Sequence, residues 1–241
     1  MGSRSCTFLG YHQLRPRLLL TLGLSLILAG NASAATPEPI CNPTADYFLG
    51  NQDYPEAVRL HRLLIKEHPD NALAHYHLGF AEGMMGDSNE EIDQYQLAVR
   101  LGLKDWGLYL NLGRAELEEV QVGAALRAFQ QAVGLEPQHA EGHFNLALAY
   151  EREGRLDAAS AELSRSLTLD PSQTDARNML AVVDAEEGKY ADARSIWTEL
   201  IKSQPNFAPA HANLEILDAA SKRCTPHTHP GFESASAVMP R

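Results

Sequence analysis

The hydrophobic and polar pattern of this chain repeats every 34 residues, in frames that open at Glu38, Ala72, Trp106, Ala140 and Thr174. From the second frame on, the seventh position is Leu78, Leu112, Leu146 and Leu180, and the eighth is small: Gly79, Gly113, Ala147 and Ala181. The twentieth reads Ala57, Glu91, Ala125, Ala159 and Ala193, and the twenty-fourth is bulky as Tyr95, Phe129, Leu163 and Trp197, with His61 in the first frame. Near each frame's end Pro69, Pro137, Pro171 and Pro205 fall in register, and Leu103 breaks the series. The pattern predicts two helices per frame, apposed closely where the residues are small, with the bulky side chains filling the space between neighbours. One such pair leaves an apolar face exposed, so stability comes from stacking.

Turn chemistry marks the boundaries. Asn42 is placed to cap a first helix that starts at Pro43 and ends near Gly50. Asp53 to Glu56 and Ser88 to Glu91 read as capping boxes. Gly86, Gly154 and Gly188 mark the turns between paired helices, and the in-register prolines end the second helix. Three departures stand out. Val120 occupies a turn where other frames place glycine, Leu103 replaces a terminating proline, and Glu91 stands where alanine is expected. Two readings of Glu91 are open: a side chain bent outward to water, or a buried carboxylate paired to a histidine.

These positions resemble the tetratricopeptide repeat, with its pattern W-x2-L-G-x2-Y, A-x3-F and P over 34 residues. The resemblance covers Glu38 to Phe207, about five units, followed by a capping helix from Ala208 to Ser221. It implies an all-α fold, a right-handed α-solenoid of helix-turn-helix repeats. It also implies partner binding on a concave face lined by the first helix of each pair. The residues so placed are Tyr76, His77, Phe80, Met84, Leu110, Asn111, Arg114, Phe144, Asn145, Leu148, Asn178 and Asn213. Asn111, Asn145 and Asn213 share the sixth position, which looks like the asparagine ladder in the repeat domain of O-GlcNAc transferase, here interrupted by Met179. A row of amides suits the peptide groups of an extended chain, since each amide donates and accepts. The carboxylate clamp of chaperone-binding relatives is not matched, because Tyr76, Leu110, Phe144 and Asn178 stand where lysine is expected.

Composition adds a compartment. Residues 1–34 read as a signal peptide: Arg4, Arg15 and Arg17, an apolar run from Leu18 to Ala29, and a small-residue cleavage site at Ala32 to Ala34. The run is shorter than the roughly 20 apolar residues a membrane span needs. The expected organisation is a signal at 1–34, a linker at 35–41, the repeats at 42–221 and a flexible tail at 222–241, with no integral membrane segment after cleavage. Cleavage leaves 17 Lys and Arg against 31 Asp and Glu, a formal charge of −14, which disfavours nucleic acid as a partner. Export makes the expected location periplasmic or secreted. Cys41 and Cys224 flank the repeats, too far apart along an extended solenoid for an intrachain bond, so free thiols or a between-chain bridge are expected.

Motifs for catalysis are missing: there is no H-E-x-x-H, C-x-x-C, G-x-S-x-G or phosphate-binding glycine loop. His139 and His143 lie four apart without a third ligand, and Cys224, His227 and His229 offer three ligands where four are wanted. No catalytic residue, cofactor or metal site is assigned. The expected function is a non-enzymatic scaffold that binds a peptide or helix of a partner protein in envelope or secretion assembly. Two alternatives stand beside it: maturation of exported proteins, as in cytochrome c biogenesis, and metal binding by the tail.

Overall fold

The computed structural model describes residues 42–224. The signal segment, the linker, Cys41, His227 and His229 therefore lie outside the described residues. All regular structure among the described residues is α-helix, in eleven segments that form two compact units, residues 42–172 and 173–224. The first unit holds four hairpins: α1 (Pro43–Gly50) with α2 (Tyr54–Glu67), α3 (Ala72–Met85) with α4 (Ser88–Arg100), α5 (Trp106–Glu118) with α6 (Val122–Leu135), and α7 (Ala140–Arg152) with α8 (Leu156–Leu169). The second unit pairs α9 (Thr174–Glu186) with α10 (Tyr190–Ser203) and packs α11 (Ala208–Cys224) against both. The all-α fold class read from the repeat is the one observed. No helix among the described residues is long and apolar enough to cross a membrane.

The small and bulky positions of the repeat meet directly. At Gly79 an added Cβ would lie 2.9 Å from the ring of Tyr95, and at Gly113 only 2.6 Å from the ring of Phe129. Glycine at the eighth position is thus what lets the aromatic twenty-fourth side chain pack directly against its partner helix. Both aromatic side chains are fully buried, and the apolar clusters around them join successive hairpins within the first unit. Glu91 follows a variant of the same logic. Its carboxylate lies over Gly83, where a Cβ would overlap it, so the missing side chain makes room for a larger twentieth residue. Glu91 is half-buried at this contact, and its charge adds to the effect of burial in raising the Tyr95 pKa.

Every turn inside a hairpin uses the left-handed conformation at the same frame position. Gln52 (φ 63°), Gly86 (97°), Val120 (61°), Gly154 (74°) and Gly188 (81°) all adopt it. The first turn therefore reverses at Gln52, and Gly50 is simply the last residue of α1. Asn42 caps α1 by accepting from the backbone N–H groups of Thr44 and Ala45. The expected box at Ser88 is corrected: Asp87 is the N-cap residue, with no side-chain bond, and Ser88 lies inside the helix. At Asp53 only half a box forms, because Glu56 turns to Arg59. Where Leu103 replaces proline, Gly102 at φ 93° ends α4, and Leu103 returns its N–H to the carbonyl of Ala98.

Two polar series tie neighbouring repeats together. The ring Nε2–H groups of His75, His143 and His211 donate to the carbonyls of Pro69, Pro137 and Pro205, at 3.0, 3.0 and 2.8 Å. A proline that ends one repeat is in this way held by the first helix of the next. The second series joins residues 20 apart: Arg62 to Glu82 (2.9 Å), Gln96 to Glu116 (3.3 Å) and Gln130 to the hydroxyl of Tyr150 (3.2 Å). Burial raises the pKa values of Glu82 and Glu116, against the opposing effect of these donors.

Candidate functional site

The first helices α3, α5 and α7 lie side by side in the first unit, so their outward residues form one surface. Not all of the expected lining reaches it. Leu110 is 0% exposed and belongs to the apolar cluster around Phe129, which leaves it no surface for a partner. Phe144, His77, Asn111 and Asn145 are also buried, the two asparagines at 8% exposure, whereas Tyr76, Phe80, Arg114 and Leu148 are half-buried. Arg114 approaches Glu141 across neighbouring repeats, at 3.9 Å.

The asparagines have a job that the sequence does not announce. Asn111 donates its side-chain N–H to the hydroxyl of Tyr76 at 3.2 Å, and Asn213 donates to the amide oxygen of Asn178, also at 3.2 Å. Each pair is 35 residues apart, the fifth position of one frame and the sixth of the next. Asn178 also accepts from the indole N–H of Trp197. Asn145 differs because its fifth-position counterpart is Leu110, which has no acceptor. It bonds instead to the carbonyl of Glu141 in its own helix, at 2.9 Å, and among the described residues its amide oxygen has no hydrogen-bond donor. Burial first, then the charge of Asp105, raises the Tyr76 pKa, and the bond from Asn111 opposes them.

The histidines separate by environment. His143 spans Glu162, at 2.6 Å from Nδ1, and the carbonyl of Pro137, while His139 stacks on Trp106 with ring centroids 4.6 Å apart. The two therefore do not converge. His77, expected on the binding face, instead meets Asp46 of α1 at 3.0 Å, with His61 of α2 beside it. Sequence reasoning missed this trio. The signals were three departures from the repeat: a histidine at a twenty-fourth position that elsewhere is aromatic or leucine, a histidine at the sixth position and an aspartate at the ninth.

The family described as "Cytochrome c-type biogenesis protein H TPR domain" matches residues 82–210, more than half of the chain, and that described as "Tetratricopeptide repeat" matches residues 43–105. The chain belongs to the tetratricopeptide-repeat family. No curated protein matches it. Among solved structures, this tetratricopeptide-repeat protein is similar to YrrB, described as a TPR protein with an unusual peptide-binding site. The TM-score is 0.67 at 24% identity, over 71% of this chain and 89% of that one. It is also similar to MamA from Desulfovibrio magneticus RS-1, with TM-score 0.64, 19% identity, and 67% and 93% covered. A third similar structure is TTC0263 from Thermus thermophilus, with TM-score 0.52, 20% identity, and 73% and 96% covered. At these identities the likeness shows the fold.

Proposed function

We propose that this tetratricopeptide-repeat protein is a non-enzymatic scaffold that holds an extended segment of a partner polypeptide against α5 and α7, in the periplasm or outside the cell. The observation that carries this reading is the amide of Asn145. It sits in phase with Asn111, yet its oxygen is uncommitted, and Leu148 stands one turn further along the same helix. An amide oxygen there accepts from a peptide N–H of the partner while Leu148 packs on an apolar side chain, and Arg114 and Glu141 offer charges for the rim. The description of YrrB as a peptide binder agrees with such a use of the fold.

A second reading is favoured by the family description: the partner is an exported protein in maturation, an apocytochrome presented for haem attachment. One experiment addresses both. Binding of a labelled apocytochrome segment containing C-x-x-C-H to the full chain is followed by fluorescence anisotropy, next to a scrambled segment and an extended peptide of unrelated sequence. Asn145→Ala is expected to weaken binding by about 0.5 to 1.5 kcal/mol, roughly two- to twelvefold, with helicity unchanged. Leu148→Ala tests the apolar contact with less risk to folding than the buried Phe144. Preference for the apocytochrome segment supports the second reading, and equal affinity for all extended peptides supports the general one. Wild-type affinity in both variants, each fully folded, would overturn the assignment to α5 and α7.

A further inference from the structure

We propose that Asp46, His61 and His77 form a binding site for a divalent transition-metal ion, of which zinc is the type, at the junction of α1, α2 and α3. One ligand atom from each residue lies within 4.8 Å of the other two. Asp46 Oδ1 is 3.0 Å from His77 Nδ1 and 3.8 Å from His61 Nε2. Ligands held about 2.0 to 2.2 Å from a tetrahedral ion lie roughly 3.3 to 3.6 Å apart, so small side-chain adjustments close the site. The two imidazole rings are 5.3 Å apart at 69°, an angle that lets both turn a ring edge toward a common point.

The decisive side chain is His61. It is 1% exposed, and among the described residues neither of its ring nitrogens has a hydrogen-bond partner. At 3.8 Å the nearest Asp46 oxygen is beyond hydrogen-bonding distance. Burying a polar group in this way is costly, and nothing in the packing requires it. Tyr95, Phe129, Leu163 and Trp197 fill the same position in the other repeats without an imidazole. His77 likewise replaces an amide position, and Asp46 stands where the next frames carry Phe80 and Arg114. Three substitutions away from the repeat pattern, on three different helices, thus converge on one point, and each introduces a residue type that binds metal.

The donor set selects the ion. Two imidazoles and one carboxylate suit zinc and its neighbours in the first transition series, whereas calcium and magnesium take oxygen ligands. Three protein ligands leave a fourth position for water or for a group from outside. Asp46, with its side chain 25% exposed, forms the open side. The ion would also tie α1 to the second repeat. An eight-residue helix has little stability of its own.

The test is zinc titration of the full chain after chelator treatment, read by calorimetry and by the thermal midpoint, with cobalt(II) as an optical probe of coordination. One equivalent is expected to bind with micromolar or tighter affinity, raising the midpoint by several degrees and giving tetrahedral or five-coordinate visible bands with cobalt. His61→Leu restores the residue type of another repeat and His77→Asn that of Asn111, so both variants are expected to fold. Each should weaken binding at least tenfold. Asp46→Asn is the conservative third variant, reading the carboxylate without loss of volume. The combined Cys224→Ser, His227→Ala and His229→Ala variant should retain the site. Failure of the full chain to bind zinc would overturn the proposal. So would full binding in the His61→Leu, His77→Asn double variant, or loss of the ion with the tail substitutions alone.

Discussion

Val120 holds a left-handed backbone conformation with a β-branched side chain that is 79% exposed. The conformation is imposed by the hairpin, since the same position is glycine in three other turns and glutamine in the first. A side chain this exposed has little packing to offset the steric cost, which in this region is about 1 to 2 kcal/mol. Val120→Gly is therefore expected to raise stability by about 1 kcal/mol, visible as a higher urea midpoint at unchanged slope. A lower midpoint would show that glycine's added freedom in the unfolded chain outweighs the relief of strain. Glu116 makes a second, pH-dependent case. One carboxylate oxygen accepts from Gln96 while the other is buried without a partner, and burial raises its pKa. A raised acid binds its proton more tightly in the folded state. Its contribution is therefore fully present below the unfolded carboxylate pKa and is lost as pH rises through the folded value. Glu116→Gln should then stabilise the protein near neutral pH by about 1 kcal/mol and flatten the fall in stability as pH rises above the ordinary carboxylate range. If melting at neutral pH drops instead, the carboxylate is better solvated or better paired than its burial implies.

Paired helices depend on where a side chain is missing. Gly113 and Gly134 are both helical glycines, and propensity alone favours alanine at each. Their surroundings differ: a Cβ at Gly113 would press into the Phe129 ring, whereas at Gly134 nothing lies within 4 Å. Gly113→Ala is expected to cost about 1 to 3 kcal/mol through overpacking, and Gly134→Ala to gain about 0.5 kcal/mol. Thermal melts of the two variants check the pair, and equal shifts would mean that α5 and α6 separate freely. The element scale also explains Glu91. Its larger side chain is matched by a glycine four residues beyond the usual eighth-position contact, so the two departures from the repeat compensate each other.

At the scale of the whole molecule the chain carries a formal net charge of −11, with ion pairs that are mostly at the surface. Surface pairs contribute little, whereas like-charge repulsion acts over the whole compact state. Raising monovalent salt from about 10 mM to 150 mM shortens the screening length from about 30 Å to 8 Å and should raise the melting temperature by a few degrees. A fall would mean that attractive pairs dominate. The 34-residue register, the order of helices, the turns at Gly86, Val120, Gly154 and Gly188 and the packing of bulky on small side chains were legible in the sequence, whereas the first turn's reversal at Gln52 was not. Each follows from local periodicity and from residues whose conformational limits act within one hairpin. Polar partnerships were not legible. Asn111 and Asn213 look like a partner-binding ladder in sequence, yet they bond to Tyr76 and Asn178 one repeat back. Asp46, His61 and His77 lie in three different helices, and only the stacking of the first repeat on the second brings them together. Periodicity says which face of a helix is buried, but the atom that a buried polar group meets depends on the rotation and depth of the neighbouring helix. That is decided by packing across the repeats.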